Sequence, residues 1–499
     1  MTRGRARLRF VVLGVLLVIA LGIRLYRASD PPLNFHETRQ YRSLIIARAY
    51  YFDRSASVPE WVKHVARSSA QKQGILEPPI LEFLVSWGYH AVGGERLWLA
   101  PLLSSLFWLI GGCCLYRIGE RIAGADSALF SVAFFLFLPF AVVASRTFQP
   151  DPLMVMLMVA SVWAVLRYHD TPSRSRLAIA ALCSASAFLV KPASIFMILG
   201  AFGALEIRRR GVRSALTSRA SLVFVTTTLL PTLSAYAFGL FTGRFLLGEA
   251  QKTLLPRLWT TPFFWRSWLD NIHLTVGLTA FVMALLGLLL LRTGVPRTLM
   301  VGLWLGYVTF GLAFNYNFAT HDYYQLPLIP LVALTLGPIM ALIIDQIRQV
   351  HAERRWRIAT SMVLVLALAL SVRTARARLS AADAWQRVST EQEIGQVVEH
   401  STKTIFLSSD YGVPLEYHGL LSGAAWPLRD DFEWERLAGV STLAAEERFE
   451  AGFAAASAEY FIVEDLRELE RQDDLKQFLS RFPIVSQNDR YVIYRLRPK

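Results

Sequence analysis

Long apolar segments recur along this chain, and their number constrains the fold more than any other feature of the sequence. A helix needs about 20 apolar residues to cross a bilayer, and eleven segments approach that length. They lie at 9–26, 96–116, 125–145, 152–168, 176–191, 192–207, 220–242, 272–291, 298–315, 325–345 and 357–373. The pattern predicts a multi-pass α-helical membrane protein with about 11 transmembrane helices.

The basic residues are distributed unevenly between the loops that join these segments. The N-terminus and the loops after even-numbered segments carry clusters of arginine, whereas the short alternate loops carry few basic residues. Because cytoplasmic loops are enriched in Lys and Arg, we expect a cytoplasmic N-terminus in the inner (plasma) membrane. The formal net charge of +14 follows from this topology, so the bilayer is the expected partner and nucleic acid is not.

The composition changes after about residue 374, where the chain becomes more charged and has no further membrane-length segment. The sequence therefore predicts a membrane domain over 1–374, with a first outer loop at 27–95. A small C-terminal α/β domain is predicted over 375–499, outside the cytoplasm. Its expected elements are strands at Lys403–Ser408, Ala458–Glu464 and Arg490–Leu496, and helices at Leu443–Ala455 and Leu466–Arg481. In the outer loop, helices are expected at Thr38–Tyr51 and Pro79–Val92.

Several polar clusters border the apolar segments on the predicted outer face. They are Asn34–Gln40, Leu76–Pro79, Ser145–Pro152, Lys191-Pro192 and His321–Tyr324. Carboxylates such as Glu37 and Asp151 can serve as a general base towards a hydroxyl. Cationic side chains can bind a phosphate group, and the candidates are Arg39, Arg146 and Lys191.

Structural roles compete with these functional ones. Asn34 can cap the helix that follows it, and Asp151 can be an N-cap with Pro152 at the first helical position. Lys191 can extend to the membrane surface, and Tyr323 and Tyr324 can be interfacial anchors. Each alternative explains one residue, whereas the shared sidedness of the clusters favours an active site.

The order of the motifs resembles that of the GT-C glycosyltransferases. The motifs are Glu37-Thr38-Arg39, Glu77-Pro78-Pro79, Arg146-x-x-x-Pro150-Asp151-x-Leu153, Lys191, and His321-x-Tyr323-Tyr324-x-x-Pro327-Leu328-x-Pro330. Within that superfamily the resemblance is to glycosyltransferase family 39, which includes protein O-mannosyltransferases and lipid A aminoarabinose transferases. It covers about residues 9–345. The chain departs from the family at His36, where Asp is common, and at Glu77, where Lys is common.

The resemblance implies an inverting glycosyltransferase that moves a sugar from a polyprenyl-phosphate donor to an extracytoplasmic acceptor hydroxyl. The acceptor would be a lipid, a polysaccharide or a protein. The implied catalytic residues are Glu37, Asp151 and His36, with Arg39, Arg146 and Lys191 on the donor phosphate. The implied substrate-binding residues are Gln40, Glu77, His321, Tyr323 and Tyr324. A divalent metal held by Glu77 and His321 is a further candidate, with no confident ligand set.

Three other functions are compatible with this architecture. One is an oligosaccharide ligase or polymerase, and another is a binding protein whose catalytic site has degenerated. The third is a membrane transporter. Transporters place ionisable residues near the bilayer midplane within broken helices, whereas here they lie at helix ends on one face, which favours the enzyme.

Overall fold

The chain folds into two compact units that are not continuous in sequence. The computed structural model describes residues 3–74, 76–242, 254–350, 354–380, 384–432, 443–453 and 457–496. The helical unit consists of Met1–Ala28, Ile75–Leu81 and Trp98–Ser380. The mixed unit consists of Ser29–Gly74, Glu82–Leu97 and Ala381–Lys499. Most of the first outer loop therefore belongs to the same unit as the C-terminal segment.

The helical unit is built from helices of very different lengths. They are Arg3–Leu25, Leu99–Ala123, Ala125–Phe137, Pro139–Ala144, Asp151–Asp170, Arg174–Val190, Ser194–Arg210, Val212–Thr217, Arg219–Ala237, Pro262–Val276, Leu278–Leu290, Val295–Ala313, Asn315–Thr320, Leu328–Val350 and Arg354–Arg378. Short 3₁₀ helices lie at Pro256–Thr260 and Asp322–Gln325, and a π-helical turn lies at Phe238–Thr242. Each of the eleven predicted segments lies on one or two of these helices.

Six helices within the described residues are long and apolar enough to cross a membrane. They are Gly4–Leu25, Leu99–Ala123, Asp151–Asp170, Arg219–Phe241, Val295–Ala313 and Asp322–Gln346. Pro262–Val276 and Leu278–Leu290 would add a seventh as one broken span. The chain is thus a multi-pass membrane protein, while the number of eleven spans remains a prediction.

Several predicted segments do not form a full-length span, and the structure shows the reason for each. The segment at 272–291 bends by 91° at Gly277, whose φ of 79° is left-handed. The segment at 125–145 breaks before Pro139, because proline cannot donate to the preceding turn. The helices Arg174–Val190 and Ser194–Arg210 have 17 residues each, below the length usual for a full span.

Glycines allow two helices of this unit to approach backbone to backbone. A Cβ atom on Gly302 would lie 2.4 Å from the carbonyl oxygen of Gly200, and one on Gly306 would lie 2.4 Å from that of Phe196. These residues join Ser194–Arg210 to Val295–Ala313. Gly302 and Gly306 are four residues apart, the spacing that brings membrane helices into close contact.

We expect Gly302→Val to destabilise the protein, because the new side chain would overlap the backbone of the facing helix. Overpacking of this kind costs about 1–3 kcal/mol, which is measurable as a lower midpoint of thermal unfolding in detergent. Gly203→Ala is the matched control, since a Cβ atom there meets nothing within 4 Å. Equal midpoints for the two variants would contradict the close approach.

The mixed unit contains a five-stranded sheet. Its strands are β1 (Thr404–Leu407), β2 (Gly423–Ala425), β3 (Tyr460–Val463), β4 (Ile484–Gln487) and β5 (Val492–Arg495). The order is β2-β1-β3-β5-β4. β1 is parallel to β2 and β3, and β5 is antiparallel to β3 and β4. β1 and β3 are buried along their whole length, so they form the centre of this unit.

Helices surround the sheet and also form the part of the unit that comes from the first outer loop. They are Glu37–Arg54, Glu60–Lys72, Ile80–Val92, Ala384–Val397, Val413–Gly419, Ala445–Gly452, Leu466–Glu470 and Asp473–Leu479. The helix predicted at Leu466–Arg481 is two helices that meet at Gln472, whose φ of −122° and ψ of 75° are not helical. The helix predicted at Leu443–Ala455 is Ala445–Gly452, and residues 454–455 lie outside the described residues. Glu60–Lys72 has no counterpart in the sequence prediction.

Candidate active site

A buried ion pair joins Asp151 to Lys191 in the helical unit. The Lys191 Nζ atom lies 2.8 Å from Oδ1 and 3.0 Å from Oδ2 of Asp151. The two side chains are only 1% and 5% exposed. Asp151 is the first residue of Asp151–Asp170, and Lys191 follows the last residue of Arg174–Val190. The pair therefore closes the open end of a helical hairpin.

Two tyrosine rings cover the ammonium group of this pair. The Nζ atom of Lys191 lies 4.8 Å from the ring centre of Tyr323 and 4.6 Å from that of Tyr324. Aromatic faces attract cations at such distances, and the attraction increases when the cation is desolvated. The His321 ring lies 5.3 Å from the Tyr323 ring, and its Nδ1 is 2.7 Å from Thr320 Oγ1. The structure thus brings five of the predicted site residues together.

The structural roles considered above, an N-cap for Asp151 and extension to the membrane surface for Lys191, do not describe these side chains. The Asp151 side chain makes no capping hydrogen bond, and Pro150 occupies the N-cap position. Lys191 is buried and paired with a carboxylate, so it does not extend to the membrane surface. Since a buried charge is tolerated when it is paired, each side chain accounts for the position of the other.

Arg146 is engaged with the backbone at the end of the first helix. Its guanidinium donates to the carbonyl oxygens of Arg24, Tyr26 and Arg27. These carbonyls lie at or just beyond the C-terminus of Arg3–Leu25, where carbonyl oxygens lack helical partners. Arg146, predicted to bind the donor phosphate, donates in this structure to the backbone at the end of that helix.

Two further features of the helical unit, the side chain of Gln149 and a cavity beside Tyr26, were not predicted from the sequence as parts of the site. Gln149 is buried, and neither polar atom of its amide has a hydrogen-bond partner among the described residues. A buried polar group without a partner is rare, so Gln149 is a candidate ligand contact. A cavity of about 480 Å³ lies beside Tyr26 and is lined by Arg373 and Arg376, with Ala369, Val372, Ala377 and Ser380 completing its wall. The Arg376 guanidinium lies 4.5 Å from the centre of the Tyr26 ring.

Glu37 belongs to a carboxylate cluster in the mixed unit. The guanidinium of Arg387 lies 2.8 Å from Glu37, 2.9 Å from Glu391 and 3.5 Å from Asp410. Thr38 donates a 3.3 Å hydrogen bond to Asp410. One arginine therefore faces three carboxylates, of which the Glu391 side chain is fully buried.

This excess of carboxylates changes the proton affinity of Glu37. Burial and the neighbouring Asp410 raise the pKa of the Glu37 carboxyl to about 7, although Arg387 acts in the opposite direction. Burial and Glu464 raise the pKa of Glu391 to about 8. A carboxylate with a pKa near neutrality is well matched to general-base catalysis.

The neighbours of Glu37 hold the loop that precedes its helix. His36, not Asn34, is the N-cap residue of Glu37–Arg54, and its φ of 44° is left-handed. Gln40 donates to the carbonyl oxygen of Phe35 at 2.6 Å, and it is buried. Arg39 lies in the first turn of the helix and is half-buried. Gln40 thus has a clear structural role, whatever it contributes to substrate binding.

Glu77, the remaining predicted site residue, precedes Pro78-Pro79 in the helical unit and is half-buried. Among the described residues, no group of three His, Cys, Asp or Glu side chains is arranged to hold a metal ion. Glu77 and His321 alone would leave most positions around a divalent cation to other ligands.

Comparison with solved structures shows which known proteins have a similar fold. The structure is similar to ArnT from Cupriavidus metallidurans bound to undecaprenyl phosphate, with a TM-score of 0.58 and 14% identity over 99% of this chain and 98% of that one. It is also similar to the archaeal oligosaccharyltransferase AglB from Archaeoglobus fulgidus in complex with an inhibitory peptide and a dolichol-phosphate. That match has a TM-score of 0.59 and 12% identity, and it covers 97% of this chain and 73% of AglB. The chain therefore has the fold of the GT-C glycosyltransferases.

A family model narrows the resemblance within that class. The model described as dolichyl-phosphate-mannose-protein mannosyltransferase matches residues 77–237, a range that contains both Asp151 and Lys191. No curated protein matches the chain in sequence. The resemblance expected from the order of the motifs is confirmed by these matches.

We expect Lys191→Met to destabilise the helical unit strongly, because Asp151 would remain buried without a partner. Loss of one member of a buried pair costs about 3–5 kcal/mol, so the unfolding midpoint in detergent should fall. The double variant Asp151→Asn, Lys191→Met should regain most of the loss. Lys403→Met is a control, since Lys403 and its partner Glu459 are exposed. A double variant no more stable than Lys191→Met would contradict the coupling.

Proposed function

We propose that the protein is an inverting glycosyltransferase that transfers a sugar from a polyprenyl-phosphate donor to an acceptor hydroxyl outside the cytoplasm. The observation that carries the proposal is the buried Asp151–Lys191 pair under Tyr323 and Tyr324, in a chain with the GT-C fold. Two charges held in a low-dielectric setting are costly to bury, and ionisable groups within membrane-embedded helices commonly mark a substrate site. The ArnT and AglB structures contain undecaprenyl phosphate and dolichol-phosphate respectively, which supports a lipid-phosphate donor here.

The donor phosphate has a suitable place beside the first helix. The cavity at Tyr26 contains Arg373 and Arg376 and has no acidic residue in its wall. Its alanine and valine side chains suit the adjoining lipid chain, and guanidinium groups bind phosphate oxygens in bidentate fashion. As the glycosidic bond breaks, negative charge grows on the leaving phosphate, so fixed cations lower the barrier. We assign this role to Arg376 and Arg373, while Arg146 holds the backbone of Tyr26.

The acceptor hydroxyl needs a base, and each unit offers a carboxylate. Glu37 has the better matched proton affinity, because its pKa lies near 7. Both oxygens of the Asp151 carboxylate lie within hydrogen-bond distance of Lys191, which fixes its orientation. We assign proton abstraction to Glu37, and to Asp151 the positioning of Lys191 within the helical unit.

The charge pattern supports the orientation proposed for this reaction. Arginine clusters on the N-terminus and alternate loops favour a cytoplasmic N-terminus. The polar clusters and the residues after the last apolar segment then lie outside the cytoplasm, where lipid, polysaccharide and protein acceptors are found. The likeness to AglB favours one alternative in particular, a transferase whose donor carries an oligosaccharide.

We expect Glu37→Gln and Asp151→Asn each to reduce sugar transfer by about 100-fold or more, the usual contribution of a general base. Arg376→Gln should lower kcat as well as raise the KM for the donor, because it removes a group that binds the phosphate and stabilises the charge that grows on it. The assay is transfer of a radiolabelled sugar from polyprenyl phosphate in membranes, with protein abundance measured in parallel. Asp53→Asn is the control, since Asp53 is an exposed partner of Arg67 in the same unit as Glu37. Full activity of both carboxylate variants at normal abundance would reject these assignments.

We expect transfer to rise with pH through about 7, because Glu37 must lose its proton to act as a base. Asp410→Asn removes a neighbouring negative charge, so the pKa of Glu37 should fall and the profile should move to lower pH. The measurement is kcat/KM between about pH 5 and 9, which reports ionisations of the free enzyme. Asp53→Asn should keep the wild-type midpoint. A shift to higher pH in Asp410→Asn would show that Glu37 is not the group observed.

A further inference from the structure

A second cavity, lined by none of the site residues predicted from sequence, lies wholly within the mixed unit. Its volume is about 590 Å³, a size typical of small-molecule sites. Ten residues line it: Gln386, Arg387, Thr390, Ser409, Glu464, Asp465, Leu466, Arg467, Asp489 and Arg490. They come from four places in the fold, namely the helix Ala384–Val397, the ends of two strands, the start of the helix Leu466–Glu470 and the β4–β5 turn.

The position of this cavity in the sheet is characteristic of a binding site. Ser409 follows the carboxyl end of β1, and Glu464 follows the carboxyl end of β3. The two strands are adjacent and parallel, and β1 continues to β2 on its other side. In open sheets, ligands bind outside the carboxyl ends of strands where successive connections diverge. The cavity occupies such a point.

The lining defines the chemistry of the ligand. Three guanidinium groups, Arg387, Arg467 and Arg490, are balanced by the carboxylates of Glu464, Asp465 and Asp489, so the cavity has no excess of charge for a phosphate. Leu466 is its one apolar side chain, which leaves no surface for an acyl chain or a nucleotide base. A ligand with many hydroxyl groups fits best, because each hydroxyl can donate to a carboxylate and accept from a guanidinium.

Arg387 links this cavity to the candidate base. It lines the cavity, and its Nη1 atom lies 2.8 Å from Oε2 of Glu37. Its Nη2 atom has no hydrogen-bond partner among the described residues, although a buried donor of this kind is normally satisfied. A ligand oxygen in the cavity would supply a partner on the same guanidinium that contacts Glu37.

We propose that this cavity binds a saccharide portion of the acceptor, and that Arg387 orients the bound saccharide relative to Glu37. The proposal rests on the proposed transferase function for the identity of the acceptor, but binding itself can be measured without any transfer. Arg467 and Asp489 are the best positions to test. They line the cavity from different elements, the helix Leu466–Glu470 and the β4–β5 turn.

The binding experiment uses the full chain in lipid nanodiscs and saturation-transfer difference NMR. The probes are methyl glycosides of neutral hexoses and hexosamines, their disaccharides, and inorganic phosphate monitored by ³¹P line width. We expect transfer of saturation to at least one saccharide, a reduction of about 10-fold or more in its affinity in Arg467→Ala and in Asp489→Ala, and no phosphate binding. Arg481→Ala is the matched control, because Arg481 is an exposed arginine outside the cavity. Unfolding midpoints confirm that all three variants are folded.

The outcomes distinguish a failure of the saccharide-binding proposal from a failure of the proposed transferase function. Saccharide binding that is lost in both cavity variants but kept in Arg481→Ala supports the site, even if no sugar transfer is detected. Where transfer is active, the same two variants should raise the KM for the acceptor and leave the KM for the donor unchanged. Absence of saccharide binding, equal binding in the cavity variants, or binding of phosphate alone would overturn the assignment.

Discussion

A charge that is buried among apolar helices must be matched by an opposite charge or by backbone carbonyls, and the helical unit is arranged around this requirement. Asp151 and Lys191 match each other, and the buried Arg24 donates to Ser145 and to the carbonyl oxygens of Ala20 and Leu136. Arg146 satisfies carbonyls at the end of the first helix. The residues 145–151 are therefore held by polar contacts at both ends, and this gives the candidate site a rigid frame.

The sequence predicts those parts of the molecule whose causes are local. Apolar segments mark the helices because length and composition suffice, and β1 and β3 are visible as short apolar runs. The sharp bend at Gly277 and the edge strand β2, made of Gly-Ala-Ala, escape prediction because packing rather than propensity determines them. In the site, Asp151 and Lys191 are visible as unusual charges beside apolar segments, yet their pairing is not, since it depends on how the hairpin closes. Arg387 lies 350 residues from Glu37 in an ordinary amphipathic helix, so no local pattern marks it.

In the cluster around Arg387, three carboxylates face one arginine. Burial raises the pKa of Glu37 and of Glu391, and a single guanidinium, which faces Asp410 as well, does not offset this. The backbone on both sides is also constrained, because His36 and Asp410 adopt left-handed φ values of 44° and 54°. Such conformations are unfavourable for most residues and commonly accompany functional sites. Here they direct Glu37 and Asp410 towards the same arginine.

The contact between Glu37 and Arg387 has a consequence for the timing of synthesis. Glu37 leaves the ribosome early, whereas Arg387 follows 350 residues later, on the order of half a minute at ordinary elongation rates. During that interval Glu37 lacks Arg387, which lowers its pKa, and also Asp410, which raises it, so its pKa is not yet the one that the folded cluster sets. A nascent chain that has inserted its helices but not yet completed its last domain therefore lacks the proton affinity that the folded cluster gives to the candidate base.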